Sequence, residues 1–386
     1  MQRLYGQIRD YAWGSRSAIA SIQGRPVPSA GPEAELWLGA HPRAPAALPT
    51  GPLPRALAAD PVGLLGTGVV EEFGARLPYL LKLLAAKVPL SIQAHPGPVR
   101  AREAYAAGHP SYTDPYHKPE LLVAVEEFDA LCGFRAPDVS AELLAGLAVD
   151  QLKPVVEALR RGPVEQCLRG AVELLMSWPV GERAELVGAV AAADPFAAEL
   201  AGHYPGDVGV VVALLLNRVR LGVDEAVWMP AGNLHAYLRG TGMEIMAASD
   251  NVLRGGLTPK PMDVPELLRV LRFEVLADPV VRPVLVAPGV LTWPTPVREF
   301  ALHKAVVKTA ELTLPGIGPR IVFCLRGTVS LAVGDSLAAS DDEDDGLALG
   351  PGEAAFVPAT DGPVRCTGDG VLFQAGTAGE AGEVTS

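Results

Sequence analysis

The apolar positions of this chain fall into three textures. Up to residue 137 they come in short runs broken by Gly and Pro. Ala34-Glu35-Leu36-Trp37-Leu38-Gly39 is one such run and Leu77-Pro78-Tyr79-Leu80-Leu81-Lys82-Leu83-Leu84 is another. Short apolar runs bounded by turn residues predict strands, so an all-β unit with many turns is expected here. Across residues 139–203 the apolar positions recur three and four apart: Leu143, Leu144, Leu147 and Leu152, then Val155, Val156 and Leu159. That spacing, punctuated by Gly162-Pro163 and Asp194-Pro195, predicts several helices. Residues 206–221 read as one more. β texture returns at Glu225-Ala226-Val227-Trp228-Met229-Pro230. Arg320 to Val329 reads as a strand, a turn and a strand, and Leu347 to Val357 as a strand pair around Pro351-Gly352. The expected fold is mainly β, with two barrel-like units and a helical insertion.

Composition narrows the classes. With 386 residues, 49% apolar and 20% charged, the chain can bury large cores in two or three domains. A net charge of −12 argues against non-specific nucleic-acid binding and requires local cations for any anionic substrate. Cys132, Cys167, Cys324 and Cys366 are scattered without metal-binding spacing, so neither a disulfide framework nor a thiolate zinc site is expected. The first residues, Met1-Gln2-Arg3-Leu4-Tyr5-Gly6, lack a signal-peptide core. The longest apolar run, Val208 to Leu216, is too short to span a bilayer. A reduced, cytoplasmic protein with a small-molecule substrate and no membrane partner is expected. No apolar seam marks the Gly-rich C-terminal part, so a monomer is expected. The acidic run Asp341 to Asp345 lacks the alternating spacing and glycine of a calcium loop and reads as a solvated hairpin loop. The tail from Gly379 is expected to fray.

The candidate chemistry begins at Ser91-Ile92-Gln93-Ala94-His95-Pro96, followed by His117-Lys118-Pro119-Glu120. Gln93 and His95 are two apart and leave one face of a strand. Asn233-Leu234-His235 adds an imidazole beside a Pro-Ala-Gly turn. Gln93, His95, Glu120 and His235 together form a borderline-hard donor set with a single negative charge. It suits zinc, with manganese, cobalt or iron as alternatives, and leaves room for a substrate oxygen. The same histidines also fit ordinary half-buried positions at strand ends, and spacing does not separate the two readings. A second cluster joins Glu244, Asp250, Arg254 and Lys260 with the paired glycines Gly255 and Gly256. Its cations are natural phosphate or sugar-oxygen partners. Lys82, inside an apolar strand, either snorkels or points into a cleft with Ser91. His117 and Lys118, just before Glu120, are within reach of a bound substrate. His41, His109, His203 and His303 lack such company and read as structural or exposed.

In their order and spacing these segments resemble type I mannose-6-phosphate isomerases (phosphomannose isomerases). The resemblance runs through Tyr11-Ala12-Trp13-Gly14-Ser15, Glu35-Leu36-Trp37-Leu38-Gly39, Pro89 to Pro96 and Tyr116 to Glu120. It continues through Cys132-Gly133-Phe134-Arg135, Pro230 to Tyr237, Ser249 to Arg254 and Gly256 to Lys260. It implies one zinc ion per chain held by Gln93, His95, Glu120 and His235, with Arg254 acting near the transferred proton. It also implies a cupin-type jelly roll over residues 1–137 and 207–270, a helical insertion over 138–206 and a second jelly roll over 271–386. The implied reaction interconverts mannose 6-phosphate and fructose 6-phosphate through an enediolate. Glu244, Asp250, His117, Lys118 and a metal-bound hydroxide stand as base candidates, and Lys82, Ser91 and Lys260 as phosphate contacts. Ala94, Tyr116 and Met262 depart from the family's usual residues. Two rivals share the scaffold: a metal-dependent cupin oxygenase and a non-catalytic sugar-binding cupin. The amide of Gln93 speaks against the first, and the retention of Glu120, Arg254 and Lys260 against the second.

Overall fold

A computed structural model describes residues 1–333 and 346–378. The acidic run 341–345 and the tail from 379 lie outside them. Strands form two large antiparallel sheets, one of eleven strands and one of nine, each rolled as a jelly roll. In the first, Glu35–Gly39 pairs with Tyr79–Ala86, which pairs with His235–Ala247, which pairs with Glu120–Ala124. His235–Ala247 is long enough to serve both halves of the barrel: its start pairs with Phe128–Phe134 and Ile92–Ala94.

Alternation along these strands explains the uninterrupted apolar runs. Leu81, Leu83, Val123, Met243 and Ile245 turn outward and pack against Ile321, Phe323, Phe356 and Phe373 of the second sheet. Leu84, Leu122, Phe128 and Met229 turn inward and fill the lower barrel. Strands buried on both faces have no polar side to show, so period-two patterning is lost. A core of Val290, Ala305, Val322, Cys324 and Leu372 fills the second barrel. The insertion contributes Val164–Met176 and its neighbouring helices, whose Leu168, Val172 and Leu175 pack behind Ile92, Leu234 and Leu253. The insertion therefore braces the strands that carry Gln93, His235 and Arg254. All four cysteines are buried free thiols. No helix among the described residues is long and apolar enough to cross a membrane.

Four expectations need correction. The first 137 residues are not all β: they include Leu53–Ala59, Pro61–Leu65, Thr67–Phe73 and Pro98–Ala106. Prolines in the first turn and glycines at positive φ (Gly66, Gly74) start and stop short helices as readily as they make hairpin turns. Residues 206–221 contain only the short helix Gly209–Ala213, followed by the strand Leu216–Leu221. Arg320–Val333 is one continuous strand; Gly327, at φ 78°, sits just past a register shift between Cys324 and Arg326 rather than in a turn. Gln2–Leu4 leaves the first unit and pairs with Ala354–Val357 of the second sheet.

Candidate metal centre and active-site cavity

The sheet register assembles the site. His235 lies opposite Gln93, and Gln93 lies opposite Arg254. Directly opposed residues leave the same face of a sheet, so these three side chains form one row. A second row runs through Trp37, Lys82 and Glu244, which are successive cross-strand partners. Glu120 lies opposite Met246, two residues beyond Glu244, and so projects from the same face one step along the strand.

His95, Glu120 and His235 converge in the interior, and all three are buried. His95 Nδ1 lies 2.8 Å from the Asn251 carbonyl and His235 Nδ1 lies 3.0 Å from the Asn233 carbonyl. A carbonyl only accepts, so both Nδ1 atoms carry the proton and both Nε2 atoms present lone pairs. Those lone pairs face Glu120 Oε2 at 3.1 and 3.2 Å. Burial pushes His95 down to about 4, which keeps the ring neutral near pH 7. His235 Nε2 is within ion-pair range of the carboxylate yet has no hydrogen bond. Three converging lone pairs without a proton between them call for a cation. Tetrahedral ligands of a zinc-sized ion stand about 3.3 Å apart, close to the separations here. Burial works against the charge on Glu120, but the Lys118 ammonium, 2.8 Å from Oε1, holds its carboxyl well below the usual range.

The turn between strands is fixed by Gly232, at φ 79°. Its N–H donates to the His95 carbonyl at 2.8 Å, and an added Cβ would lie 2.7 Å from the Val270 carbonyl oxygen. Only glycine fits a left-handed conformation so tightly enclosed.

A cavity of about 630 Å³ opens beside these ligands. Gln93, Glu120, Lys118, Lys82, Glu244, Asp250, Arg254, Ser91 and Lys260 all line it. Arg254 is half-buried and has no ion-pair or hydrogen-bond partner for its guanidinium among the described residues. Burial lowers its pKa, but a guanidinium stays charged. Lys260 follows Thr258, whose N–H donates to Asp207 at 2.9 Å. Asp250 accepts from His41 Nε2 at 3.2 Å and pairs with Arg43. Burial opposes its charge, but these two partners outweigh it and hold the carboxyl well below the usual range. His41, read as structural or exposed, is therefore a buried neighbour of the site. Lys82 lies 2.8 Å from Glu244 and 3.6 Å from Glu35. Burial disfavours its ammonium, but these carboxylates outweigh that and hold its pKa above the ordinary lysine range. His117 stands apart: its Nε2 pairs with Glu299, and it does not line the cavity.

Sequence reasoning missed Glu35, Trp37, Tyr237 and Asn251. Trp37 Nε1 donates to Glu35 at 2.8 Å, and Tyr237 donates to Glu244 at 2.7 Å. The available signal was an acid two residues from a Trp inside an apolar run, the same anomaly that singled out Lys82. Asn251 ties the loop before Glu120 to the carbonyl that orients His95.

A buried histidine–glutamate–histidine set at the top of a jelly roll, opening onto a cation-lined cavity, defines a metal-binding cupin with a site for a small anionic ligand. Residues 1–137 match the family model for the catalytic domain of phosphomannose isomerase type I. The chain belongs to the type I phosphomannose isomerase family. It is 34% identical over 96% of its length to the mannose-6-phosphate isomerase of Escherichia coli K12, covering 98% of that protein. It is 30% identical to mannose-6-phosphate isomerase 2 of Arabidopsis thaliana, covering 98% of this chain and 93% of the plant protein. Among solved structures, a phosphomannose isomerase variant from Salmonella typhimurium superposes with a TM-score of 0.88 at 33% identity, covering 98% of this chain and 99% of the other. A mannose 6-phosphate isomerase bound with zinc and yttrium superposes with a TM-score of 0.85 at 33% identity, with the same coverage.

Proposed function

We propose that the chain is a zinc-dependent aldose–ketose isomerase that interconverts D-mannose 6-phosphate and D-fructose 6-phosphate. The observation that carries this reading is the convergence of the His95 and His235 lone pairs on Glu120, beside the unpaired Arg254. His95, Glu120, His235 and Gln93 would hold the ion. When bound, zinc supplies Lewis-acid polarisation of the sugar carbonyl.

The chain's own residues do the rest. A base must take the proton alpha to the carbonyl and return it to the neighbouring carbon. Asp250 is a poor base, because His41 and Arg43 stabilise its ionised form. Lys118 is engaged as a donor to Glu120. His117 lies off the cavity. We therefore assign the transfer to Glu244, which is buried, faces the cavity and, unlike Asp250 with its two basic partners, has beside it one cation that Glu35 shares. Arg254 brings an uncompensated charge to the developing enediolate. Lys82 is already matched by two carboxylates, so we assign the phosphate to Lys260 and Ser91.

We also read three units, with 1–137 and 207–270 as the catalytic jelly roll, 138–206 as the insertion and 271–386 as the second jelly roll, joined by the strand Gln2–Leu4. A cytoplasmic monomer is the simplest setting, since a charge of −12 opposes self-association. His235→Ala tests the reading: bound zinc and turnover of mannose 6-phosphate should be lost together. A zinc-replete, fully active variant would sink it.

A further inference from the structure

Glu244 does not meet Lys82 alone. Its Oε2 accepts from Lys82 Nζ at 2.8 Å, and its Oε1 accepts from the Tyr237 hydroxyl at 2.7 Å. On the far side of Lys82, Glu35 Oε1 stands 3.6 Å from Nζ, while Glu35 Oε2 accepts from the Trp37 indole at 2.8 Å. The result is one chain of contacts: indole, carboxylate, ammonium, carboxylate, phenol. Every member is less than a tenth exposed. With one lysine between two carboxylates, the ionised chain carries a net negative charge.

We propose that Glu35 and Tyr237 are positioning residues for the proton transfer, clamping the Lys82–Glu244 pair from opposite ends. This rests on the assignment of the transfer to Glu244. Tyr237 fixes the plane of the Glu244 carboxylate by occupying one oxygen while Lys82 occupies the other. Glu35 draws Lys82 back, so that its ammonium is shared and Glu244 keeps a lone pair for the substrate. In the forward direction the substrate C2–H bond breaks, the proton goes to a Glu244 oxygen, and the electron pair forms the enediolate. The O2 hydroxyl proton passes to the neighbouring O1 across the enediolate, the proton held by Glu244 forms the C1–H bond, and O2 becomes the carbonyl of the ketose. A burial this complete separates the held proton from water, so much of it should return to the sugar rather than exchange.

Mannose 6-phosphate carrying deuterium at C2 tests this in the zinc-loaded enzyme. Tyr237→Phe and Glu35→Gln should keep bound zinc and KM while kcat falls about tenfold, through loss of a hydrogen bond to the Glu244 carboxylate in the first and of the ion pair with Lys82 in the second. The fraction of deuterium recovered at C1 of fructose 6-phosphate should fall in both, an effect that a merely structural role would not produce. Wild-type kcat and wild-type label transfer in both variants, with Glu244→Gln inactive, would overturn the clamp and leave the base assignment standing. An active Glu244→Gln would overturn the base assignment and the clamp with it. Loss of zinc in Tyr237→Phe would make that residue structural. If Tyr237→Phe fails to fold, the near-isosteric Glu35→Gln decides alone.

Discussion

Replacing Asn251 with Ala removes a side chain that is only 1% exposed and is used almost completely. Its Oδ1 accepts from the Thr113 N–H at 2.9 Å, and its Nδ2 donates to the carbonyls of Asp114 and Tyr116, both at 2.8 Å. The residue's own carbonyl accepts from His95 Nδ1. Three backbone groups would lose their partners, at about 1 kcal/mol each. Water reaches part of this loop, so the expected cost is roughly 2–3 kcal/mol rather than more. The damage should fall first on the metal. Outer partners of ligating histidines are commonly worth 10–100-fold in affinity, about 1.4–2.8 kcal/mol, which lies within that cost. Competition with a chromophoric chelator reads the zinc affinity directly, and thermal unfolding of the metal-free protein reads the remainder. Asn251→Asp should be worse than Ala, because it places a second carboxylate beside Asp114 Oδ1, now 3.2 Å from Nδ2. Zinc affinity within twofold of wild type and an unchanged Tm for Asn251→Ala would refute the idea that this side chain holds the His95 anchor in place.

Three further predictions concern other parts of the molecule. Arg254→Ala should lower kcat by about 100-fold with zinc content intact, because one preorganised charge at the developing enediolate is lost; zinc loss would mark the residue as structural. Asp224→Asn should destabilise the fold by about 2–3 kcal/mol in urea unfolding, since the buried Lys304 Nζ lies 2.5 and 2.7 Å from the Asp224 oxygens and would lose its counter-charge. Asn tolerates the positive φ of 72° at that position, so the change isolates the charge. The folded-state pKa of Asp250 lies below its ordinary value of 3.8, so its stabilising contribution is present above that value and is lost as pH falls below it. Asp250→Asn should therefore flatten the acid limb of a stability-versus-pH curve below about pH 4, and an unchanged limb would count against the pairing with His41 and Arg43.

Much of the candidate site was legible because its residues belong to short, distinctive segments. Gln93 and His95 declare a common strand face by their spacing, and His235 follows a turn that Gly232 makes necessary. The β, helical, β texture likewise follows from local period. What stayed hidden depends on register between distant strands. Lys82 meets Glu244 across 162 positions of sequence, and only the pairing of three strands brings Trp37, Lys82 and Glu244 into a row. Lys82 therefore looked like a phosphate contact, when two acids already surround it. His117 looked like a base from its place beside Lys118, but Glu299, 182 positions away, engages it. Gln2–Leu4 carries no local mark of crossing to the second sheet, because its partners are 350 or more residues away.

One zinc ion at His95, Glu120 and His235 is proposed to drive the isomerisation. The direct measurement follows conversion of mannose 6-phosphate to fructose 6-phosphate by the purified protein, stripped with a chelator and then titrated with zinc, while bound zinc is counted on the same samples. Turnover should vanish in the stripped protein and return in proportion to zinc, saturating at one ion per chain. Undiminished turnover in zinc-free protein, or one tightly bound zinc with no turnover, would contradict it.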